Sequence, residues 1–496
     1  MNWKFEKVLD IIRKTDSSLL LKGKWGIERE AQRVTKSGNL ALTDHPAVFG
    51  NKLLNSEITT DFSESQLELI TPPLSSAEEV YKYLELLTLK VNDKLKDELL
   101  WPLSMPPILP LEEKIPIAKF DDTPEGREKK IYRLGLANRY GKKMQMISGI
   151  HFNLSFSEEL IDVLHKHFGK GEGRSEFTDR VYFAMARNFL RYRWLLIYLF
   201  GASPSADQTF NSVIHNEIKT IRKCCPECCN PLSNYKKYAT SLRVSRFGYS
   251  NDEQGRFAVL YNNKSEYLRS IRKMLNTKSK KYSKIGTFKD GKQVQLNENI
   301  LQKDSEFYSA IRLKQVTEKG ESQLEALEKR GVRYAEVRII DINPFEGTGI
   351  SLEQMYFLQV FMLLCLFEKS CYINKEELNL INKNHNLIAI SGRKDKLLLY
   401  RYKMGRVSLE EWGQNIFGKL FRIARAMDTA GNSSKYTECV FNEFIKLTDK
   451  SLLPSNRITN EMKINGDTFI TFGVRKALEY KSQNKKEGEL KNVEGL

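Results

Sequence analysis

The stretch Gly26-Ile27-Glu28-Arg29-Glu30 places two carboxylates two residues apart. In a β-strand, such residues point to the same face, so Glu28 and Glu30 would stand side by side. Two adjacent carboxylates repel each other unless a cation lies between them. On its own, the stretch favours a solvated strand edge, because acidic clusters point to functional sites only probabilistically. Its meaning depends on whether the pattern recurs along the chain.

Three further stretches show the same alternation of polar and apolar residues, and each predicts a strand. They cover residues 64–71, 144–156 and 330–343, and their apolar faces are expected to pack on helices. Their polar faces carry Glu68, His151, Asn153, Glu336 and Arg338, with Asp61 just before the 64–71 strand. If the four strands pair in one antiparallel sheet, their polar faces line a single cavity.

A cavity with several carboxylates requires cations, and oxygen-rich sites select Mg²⁺ or Mn²⁺. Mg²⁺ held by a few carboxylates usually also holds nucleotide phosphates. Arg338 shares a predicted strand with Glu336 and is placed to hold a transferring phosphoryl group. The chain has no Gly-x-x-x-x-Gly-Lys-Ser/Thr loop and no Gly-x-Gly-x-x-Gly loop, so phosphate binding would rest on metals and side chains. The pattern predicts metal-assisted nucleotide chemistry without identifying the substrate.

Helical periodicity is found on both sides of these strands and predicts an α+β fold. Helices are expected at 3–15, 77–97, 125–140, 178–200 and 261–275, then at 351–369, 408–427, 434–449 and 468–481, with a hairpin at 284–302. We expect one domain over residues 1–496. Its sheet-containing core covers about 1–350, a mostly helical part covers about 351–480, and a polar tail covers 481–496.

The net charge of +17, from 79 Lys+Arg against 62 Asp+Glu, fits either a polyanion binder or an enzyme for anionic substrates. The basic residues are spread along the chain without an RNA-binding motif, so we expect small-molecule substrates and no nucleic-acid partner. No apolar run reaches the roughly 20 residues that span a bilayer, and no signal peptide is recognisable. A cytoplasmic protein without membrane contact is expected.

The seven cysteines fit free thiols better than a disulfide framework. Four of them form the cluster Cys224-Cys225-Pro226-Glu227-Cys228-Cys229, which contains one Cys-x-x-Cys pair. A structural zinc site usually needs a second pair, and none exists, so loop thiols are the favoured interpretation over zinc ligands.

Eight ordered motifs resemble those of the bacterial glutamate–cysteine ligases. They are Gly26-Ile27-Glu28-Arg29-Glu30, Ile58-Thr59-Thr60-Asp61-Phe62, Leu67-Glu68-Leu69-Ile70-Thr71-Pro72, Trp101-Pro102-Leu103-Ser104-Met105-Pro106, Ile147-Ser148-Gly149-Ile150-His151, Tyr198-Leu199-Phe200-Gly201-Ala202-Ser203-Pro204, Ala239-Thr240-Ser241-Leu242-Arg243 and Glu336-Val337-Arg338 with Asp341-Ile342-Asn343-Pro344-Phe345. The resemblance extends from about residue 20 to 350 and continues weakly to the end.

This resemblance implies a glutamine-synthetase-like α+β fold in which an antiparallel sheet forms a funnel. It implies ATP-dependent joining of the γ-carboxylate of L-glutamate to L-cysteine through a γ-glutamyl phosphate, the first step of glutathione synthesis. The implied ligands of Mg²⁺ (or Mn²⁺) are Glu28, Glu30, Asp61, Glu68, His151 and Glu336. The catalytic pair would be Glu336 and Arg338, with Arg338 on the phosphoryl group of the co-substrate ATP.

The resemblance also implies a pocket for the cysteine substrate, formed by Phe62, Tyr132, Arg243, Tyr249 and Tyr308. Gln145 and Asn153 are further candidates for substrate contacts. None of the protein's own cysteines would be catalytic, and a fused glutathione synthetase domain and an oligomer are not expected. A related ligase that joins glutamate to a different amine is the alternative. Arg29, on the opposite strand face, is expected to be structural.

Overall fold

An antiparallel sheet lies at the centre of the computed structural model, which describes residues 3–224, 235–248 and 252–493. Its strands are β1 (Gly23–Thr35), β2 (Ile58–Thr60), β3 (Gln66–Ile70), β4 (Glu98–Leu100), β5 (Ile150–Phe156), β8 (Ile311–Lys314) and β9 (Tyr334–Ile340). They are arranged in the order β2-β3-β1-β5-β9-β8, and β4 pairs with the end of β1. Two small hairpins lie apart from this sheet: β6 (Phe288–Lys289) with β7 (Lys292–Gln293), and β10 (Leu398–Arg401) with β11 (Gly405–Ser408).

Helices cover one face of the sheet and form most of the chain beyond residue 350. Those of eight residues or more in the described ranges are α1 (Phe5–Asp16), α2 (Ala77–Lys94), α3 (Pro124–Tyr140), α4 (Glu158–Phe168), α5 (Arg174–Phe200), α6 (Asn211–Cys224), α7 (Lys264–Leu275), α8 (Gln323–Arg330), α9 (Leu352–Phe367), α10 (Lys375–Ser391), α11 (Leu409–Gly431), α12 (Lys435–Phe444), α13 (Pro454–Asn465) and α14 (Phe469–Val493). None of the helices in these ranges combines the length and the apolar character needed to cross a bilayer.

The apolar face of the sheet packs against α2 and α5. Ile27, Ala31, Phe152 and Val337 come from three strands and are all fully buried there, because alternate residues of a strand share a face. Helix α9 is buried on every side from Gln354 to Phe367, as expected of a helix that is apolar all round. One continuous core cluster includes residues from Trp3 to Leu453, so the helical part and the sheet share a core.

The four predicted strands and the long predicted helices are confirmed, with shifted ends. β5 begins only at Ile150, because Met144–Met146 form a 3₁₀ turn. β3 begins at Gln66, so Glu64 does not share its polar face as the alternation predicted. The Glu64 carboxylate instead accepts hydrogen bonds from the backbone N–H groups of His45 and Lys119, at 2.7 and 2.6 Å. The hairpin predicted at 284–302 is confined to 288–293.

Several elements were not predicted: β4, β8, α6, α8, α10, α13 and the β10–β11 hairpin. β8 has only four residues, at the edge of the sheet, and a strand that short has too little alternation to be recognised. The cluster Cys224-Cys225-Pro226-Glu227-Cys228-Cys229 was predicted to be a loop of free thiols. Its side chains lie outside the described residues, as does Tyr249.

Candidate active site

The pairing of the strands brings the predicted polar residues together on one face of the sheet. In the antiparallel ladders, Glu28 lies opposite His151 and Glu30 lies opposite Glu68. Asn153 lies opposite Glu336 in the next ladder. Because directly opposed side chains on one face stand about 5 Å apart, residues far apart in sequence become neighbours here.

A first group consists of Glu28, His151 and Glu336, whose possible ligand atoms all lie within 4.8 Å of one another. The Nδ1 atom of His151 is 3.0 Å from Glu28 Oε2 and 3.9 Å from Glu336 Oε1. Asn153 donates a hydrogen bond of 2.9 Å to the other oxygen of Glu28. An ionised carboxylate only accepts hydrogen bonds, so the contact with Glu28 places the ring proton of His151 on Nδ1.

A second group consists of Glu30, Glu68 and His151. When the imidazole of His151 carries one proton, on Nδ1, its Nε2 atom has a free lone pair; Nε2 lies 3.7 Å from Glu30 Oε1. The other oxygen of Glu30 accepts a 2.8 Å hydrogen bond from the backbone N–H of Gly149. Asp61 lines the same cavity as Glu30 and His151.

The carboxylates of this site influence one another's ionisation strongly. Burial raises the pKa of Glu68 well above its usual value, and the nearby charges of Glu28 and Asp61 raise it further. Burial also raises the pKa of Glu30. Burial opposes the ionisation of Glu336 as well, but Arg338 and Lys314 outweigh it and hold its pKa well below the usual value. Several acids in so small a space call for added positive charge.

The donor set fits a hard divalent cation. It is rich in carboxylate oxygens with one imidazole, the composition that suits Mg²⁺ or Mn²⁺. The Oε2 atom of Glu336 is buried and has no hydrogen-bond partner in the described part of the chain. A buried carboxylate oxygen without a donor is costly, and a cation beside it would remove that cost.

Two arginines form the cationic side of the site. Arg338 Nη1 lies 3.2 Å from Glu336 Oε1, and the Arg338 side chain is one-fifth exposed. Arg243 donates a 3.0 Å hydrogen bond to the backbone carbonyl of Arg338, and its Nη1 lies 3.6 Å from Asp341 Oδ1. A Cβ atom at Gly149 would lie 1.8 Å from Arg243 Nη2, so only glycine allows this guanidinium to lie against β5.

A cavity of about 130 Å³ opens beside these groups. Of the residues proposed for substrate contacts, Tyr132, Gln145, Arg243 and Tyr308 line it. Phe62 does not, since it is 1% exposed and packs in a core cluster with Met146 and Ile147. Asn153 contacts Glu28 and is not among the lining residues. The structure therefore brings together most of the predicted site, with Tyr249 outside the described residues.

Sequence reasoning missed four charged residues at this site. Arg312 and Lys314 come from the unpredicted strand β8; Arg312 lines the cavity, and Lys314 Nζ lies 3.4 Å from Glu336 Oε1. The alternation Ile311-Arg312-Leu313-Lys314 is consistent with a strand but is too short to predict one. Arg133, on α3, hydrogen-bonds the backbone carbonyl of Asp61. Glu306 lines the cavity from a loop, where no periodic pattern marks it.

The chain is similar along most of its length to proteins of one family. The family model described as glutamate-cysteine ligase matches residues 9–388. A glutamate–cysteine ligase of Clostridium acetobutylicum is 53% identical over 479 residues, which are 96% of this chain and 100% of that protein. One from Pseudomonas putida is 41% identical over 452 residues, covering 91% of this chain and 84% of that protein.

Two solved structures share the fold. A glutamate–cysteine ligase from Francisella tularensis, crystallised in complex with AMP, superposes with a TM-score of 0.83 at 32% identity, covering 94% of this chain and 89% of that one. A bifunctional glutathione synthetase from Pasteurella multocida gives a TM-score of 0.75 at 29% identity, covering 96% of this chain and 55% of that one. The chain therefore belongs to the glutamate–cysteine ligase family.

Proposed function

We propose that this protein joins the γ-carboxylate of L-glutamate to the α-amine of L-cysteine at the expense of ATP. The observation that carries the proposal is the convergence of four acidic side chains, His151 and Arg338 on one sheet face within a family of known ligases. A γ-carboxylate oxygen attacks the terminal phosphorus of ATP, and ADP leaves. The cysteine amine then attacks the γ-glutamyl phosphate, forming the amide and releasing phosphate and a proton.

Glu28, Glu30, Asp61, Glu68, His151 and Glu336 are the residues that would hold Mg²⁺ or Mn²⁺. When bound, the divalent cations reduce the repulsion between the triphosphate and the attacking carboxylate. The proton on His151 Nδ1 favours Nε2 as the ligand atom, and the Glu28 carboxylate then fixes the ring orientation. This arrangement supports a cation between Glu30, Glu68 and His151.

Arg338 supplies the fixed positive charge for the phosphoryl group in flight. Its guanidinium forms an ion pair with Glu336 on the same strand, and this pair holds the orientation of the Arg338 side chain. Because the side chain is four-fifths buried, its charge is weakly screened and acts strongly on a nearby phosphoryl oxygen. Glu336 therefore has two roles in the proposal: it binds the cation and orients Arg338.

The amine substrate would occupy the cavity between Tyr132, Tyr308 and Arg243. These residues combine apolar ring surface with a cation, which suits a small amino acid whose carboxylate needs a partner. The activated acyl phosphate is attacked by the substrate amine itself, so no side-chain nucleophile is required. Phe62 would support the cavity wall by packing behind it in the core. Gln145 would contact the substrate from the cavity wall, and Asn153 would contact the substrate or hold the Glu28 carboxylate in place.

The direct test is ADP release by purified protein with Mg²⁺ and ATP, omitting glutamate or cysteine in turn. We expect release that needs both amino acids, together with γ-glutamylcysteine detected by mass spectrometry. Glu336→Gln and Arg338→Ala should each lose most of the activity while keeping the wild-type circular dichroism spectrum. The control is Arg333→Ala, which removes an exposed arginine just before β9. Near-wild-type turnover in either site variant would refute the assignment of roles.

The choice of amine is a separate question, because pockets discriminate weakly between small side chains of similar size. A competition assay with cysteine, 2-aminobutyrate and alanine compares their kcat/KM values directly. We expect cysteine to be preferred; a clear preference for another amine would favour the related ligase activity. The proposal also includes a monomer acting in the cytoplasm, which light scattering and cell fractionation would check.

A further inference from the structure

A second cavity, of about 270 Å³, lies next to the active-site cavity and shares Tyr308 with it as a wall. Its other walls come from α5, from α10, from the segments 244–246 and 254–255, from residues 309–310 before β8 and from the end of β9. Arg193, His385, Ala310 and Ile339 are among its lining residues. Nothing in the proposed ligase reaction uses this space.

Among the described residues that line this second cavity, one buried positive charge is not balanced. Arg193 is 7% exposed, and its Nη2 donates a 2.7 Å hydrogen bond to the neutral Asn382. Its Nε has no partner in the described part of the chain. Arg246 also lines the cavity, but Glu217 neutralises it at 3.0 Å. Among the described lining residues there is no Asp or Glu, so the charge of Arg193 has no counterpart there.

The polar groups that α10 contributes to the cavity do not compensate for the charge of Arg193. Burial lowers the pKa of His385 to about 3, so its imidazole is neutral near pH 7, and Nε2 hydrogen-bonds the carbonyl of Val244 at 2.6 Å. Asn382 and Asn386 are neutral amides. A buried guanidinium without an anion is expensive to maintain, whereas its planar fork matches the two oxygens of a carboxylate.

We propose that this cavity binds a small monocarboxylate, with its oxygens on the guanidinium of Arg193. The carboxylate would replace the missing counter-charge, and the neighbouring asparagine amides would complete its hydrogen bonds. Such a ligand would also lie against two segments that position active-site residues, those around Tyr308 and Ala310. The backbone of Tyr308 exchanges hydrogen bonds of 2.6 and 2.9 Å with the side chain of Gln254, another lining residue. Ala310 accepts a 3.0 Å hydrogen bond from the backbone N–H of Arg338.

Binding is tested with acetate as the probe, by ligand-observed NMR titration of the full chain in constant ionic strength maintained with chloride. We expect saturable binding with a millimolar Kd. The decisive variant is Asn382→Asp, which places a carboxylate of the protein's own within reach of Arg193. It should weaken acetate binding at least about tenfold and raise the melting temperature. Asn442→Asp, an exposed change in another surface hollow, is the matched control for added negative charge and should leave acetate binding unchanged.

Two results would overturn the proposal. One is the absence of saturable acetate binding to the wild-type protein. The other is an equal Kd in the wild-type protein and in Asn382→Asp, which would place any bound acetate elsewhere, for instance on Arg243. Inorganic phosphate serves as the comparison anion, and phosphate binding that is tighter than acetate binding and lost in Asn382→Asp would refute the choice of a carboxylate. None of these measurements requires catalytic turnover, so their results test the acetate site independently of the proposed ligase reaction.

Discussion

Replacing Glu306 by glutamine should destabilise the protein by about 4 kcal/mol, because it leaves the guanidinium of Arg139 buried without its carboxylate. Both side chains have no exposed surface, and Arg139 Nη1 lies 3.3 Å from Glu306 Oε1. The same oxygen accepts a 2.5 Å hydrogen bond from the Tyr140 hydroxyl, and the other accepts one of 2.5 Å from the backbone N–H of Gln302. A glutamine at 306 would have to turn its NH₂ group towards one of these donors.

The pair joins two walls of the active-site cavity, α3 and the loop before β8. Burial raises the pKa of Glu306, although Arg139 and Tyr140 both favour the carboxylate. Because the pKa of Glu306 is raised on balance, the cost of burying the carboxylate exceeds its attraction to Arg139 and Tyr140, as is common for buried pairs. Most of the loss in Glu306→Gln therefore comes from Arg139, which is left buried without a carboxylate. Removing both charges, in Arg139→Met with Glu306→Gln, should consequently cost less than the sum of the two single changes.

The expected size of the effect can be measured by calorimetry. An unfolding entropy of about 2.1 cal/mol/K per residue gives about 1 kcal/mol/K for 496 residues, so about 4 kcal/mol lowers Tm by about 4 °C. Glu328→Gln, which breaks an exposed pair with Arg272, is the control and should leave Tm unchanged. Two results would refute this reasoning. One is a decrease in Tm of less than about 1 °C for Glu306→Gln, and the other is a double variant whose loss of stability equals the sum of the two single losses.

Three further outcomes test other parts of the molecule. Arg29→Ala should lower the free energy of unfolding in urea by about 2–4 kcal/mol without changing the Mg²⁺ affinity, because its side chain bonds to Thr88 and Gly347 away from the site. Glu28→Ala should weaken Mg²⁺ binding, and an equal loss of Mg²⁺ affinity in both variants by titration calorimetry would show that the faces of β1 are misassigned. Mg²⁺ at ten times its Kd should stabilise the protein by about 1.4 kcal/mol in thermal unfolding, and a full gain in Glu68→Gln would exclude Glu68 as a ligand. Iodoacetamide should label exposed Cys371 in the native protein and spare buried Cys365, whose pKa burial raises; peptide mapping that finds Cys365 labelled would contradict its burial.

For Arg29, the alternation of the strand predicts the direction of the side chain but not its partners. The alternation alone predicts that it points away from Glu28 and Glu30, and the structure places it among helices, where Nη1 donates to Thr88 and to the carbonyl of Gly347 at 3.2 and 2.7 Å. Its partners come from α2 and from a loop more than 300 residues away, and no local pattern identifies them. Glu64 shows where the same pattern misleads. The alternation continues two residues before the start of β3, so it assigns Glu64 to a strand that begins only at Gln66.

The sequence by itself determined which residues of each strand share a face, because side-chain direction in a strand has a period of two and needs no knowledge of the partner strand. It thereby separated Glu28, Glu30, Glu68, His151 and Glu336 from the core. Only the tertiary structure decided the register that sets Glu28 against His151 and Glu30 against Glu68. It also decided the pairing of β8 with β9, which brings Lys314 to Glu336. Register and edge pairing depend on contacts between distant segments, so the charge balance of the site became visible only in the folded chain.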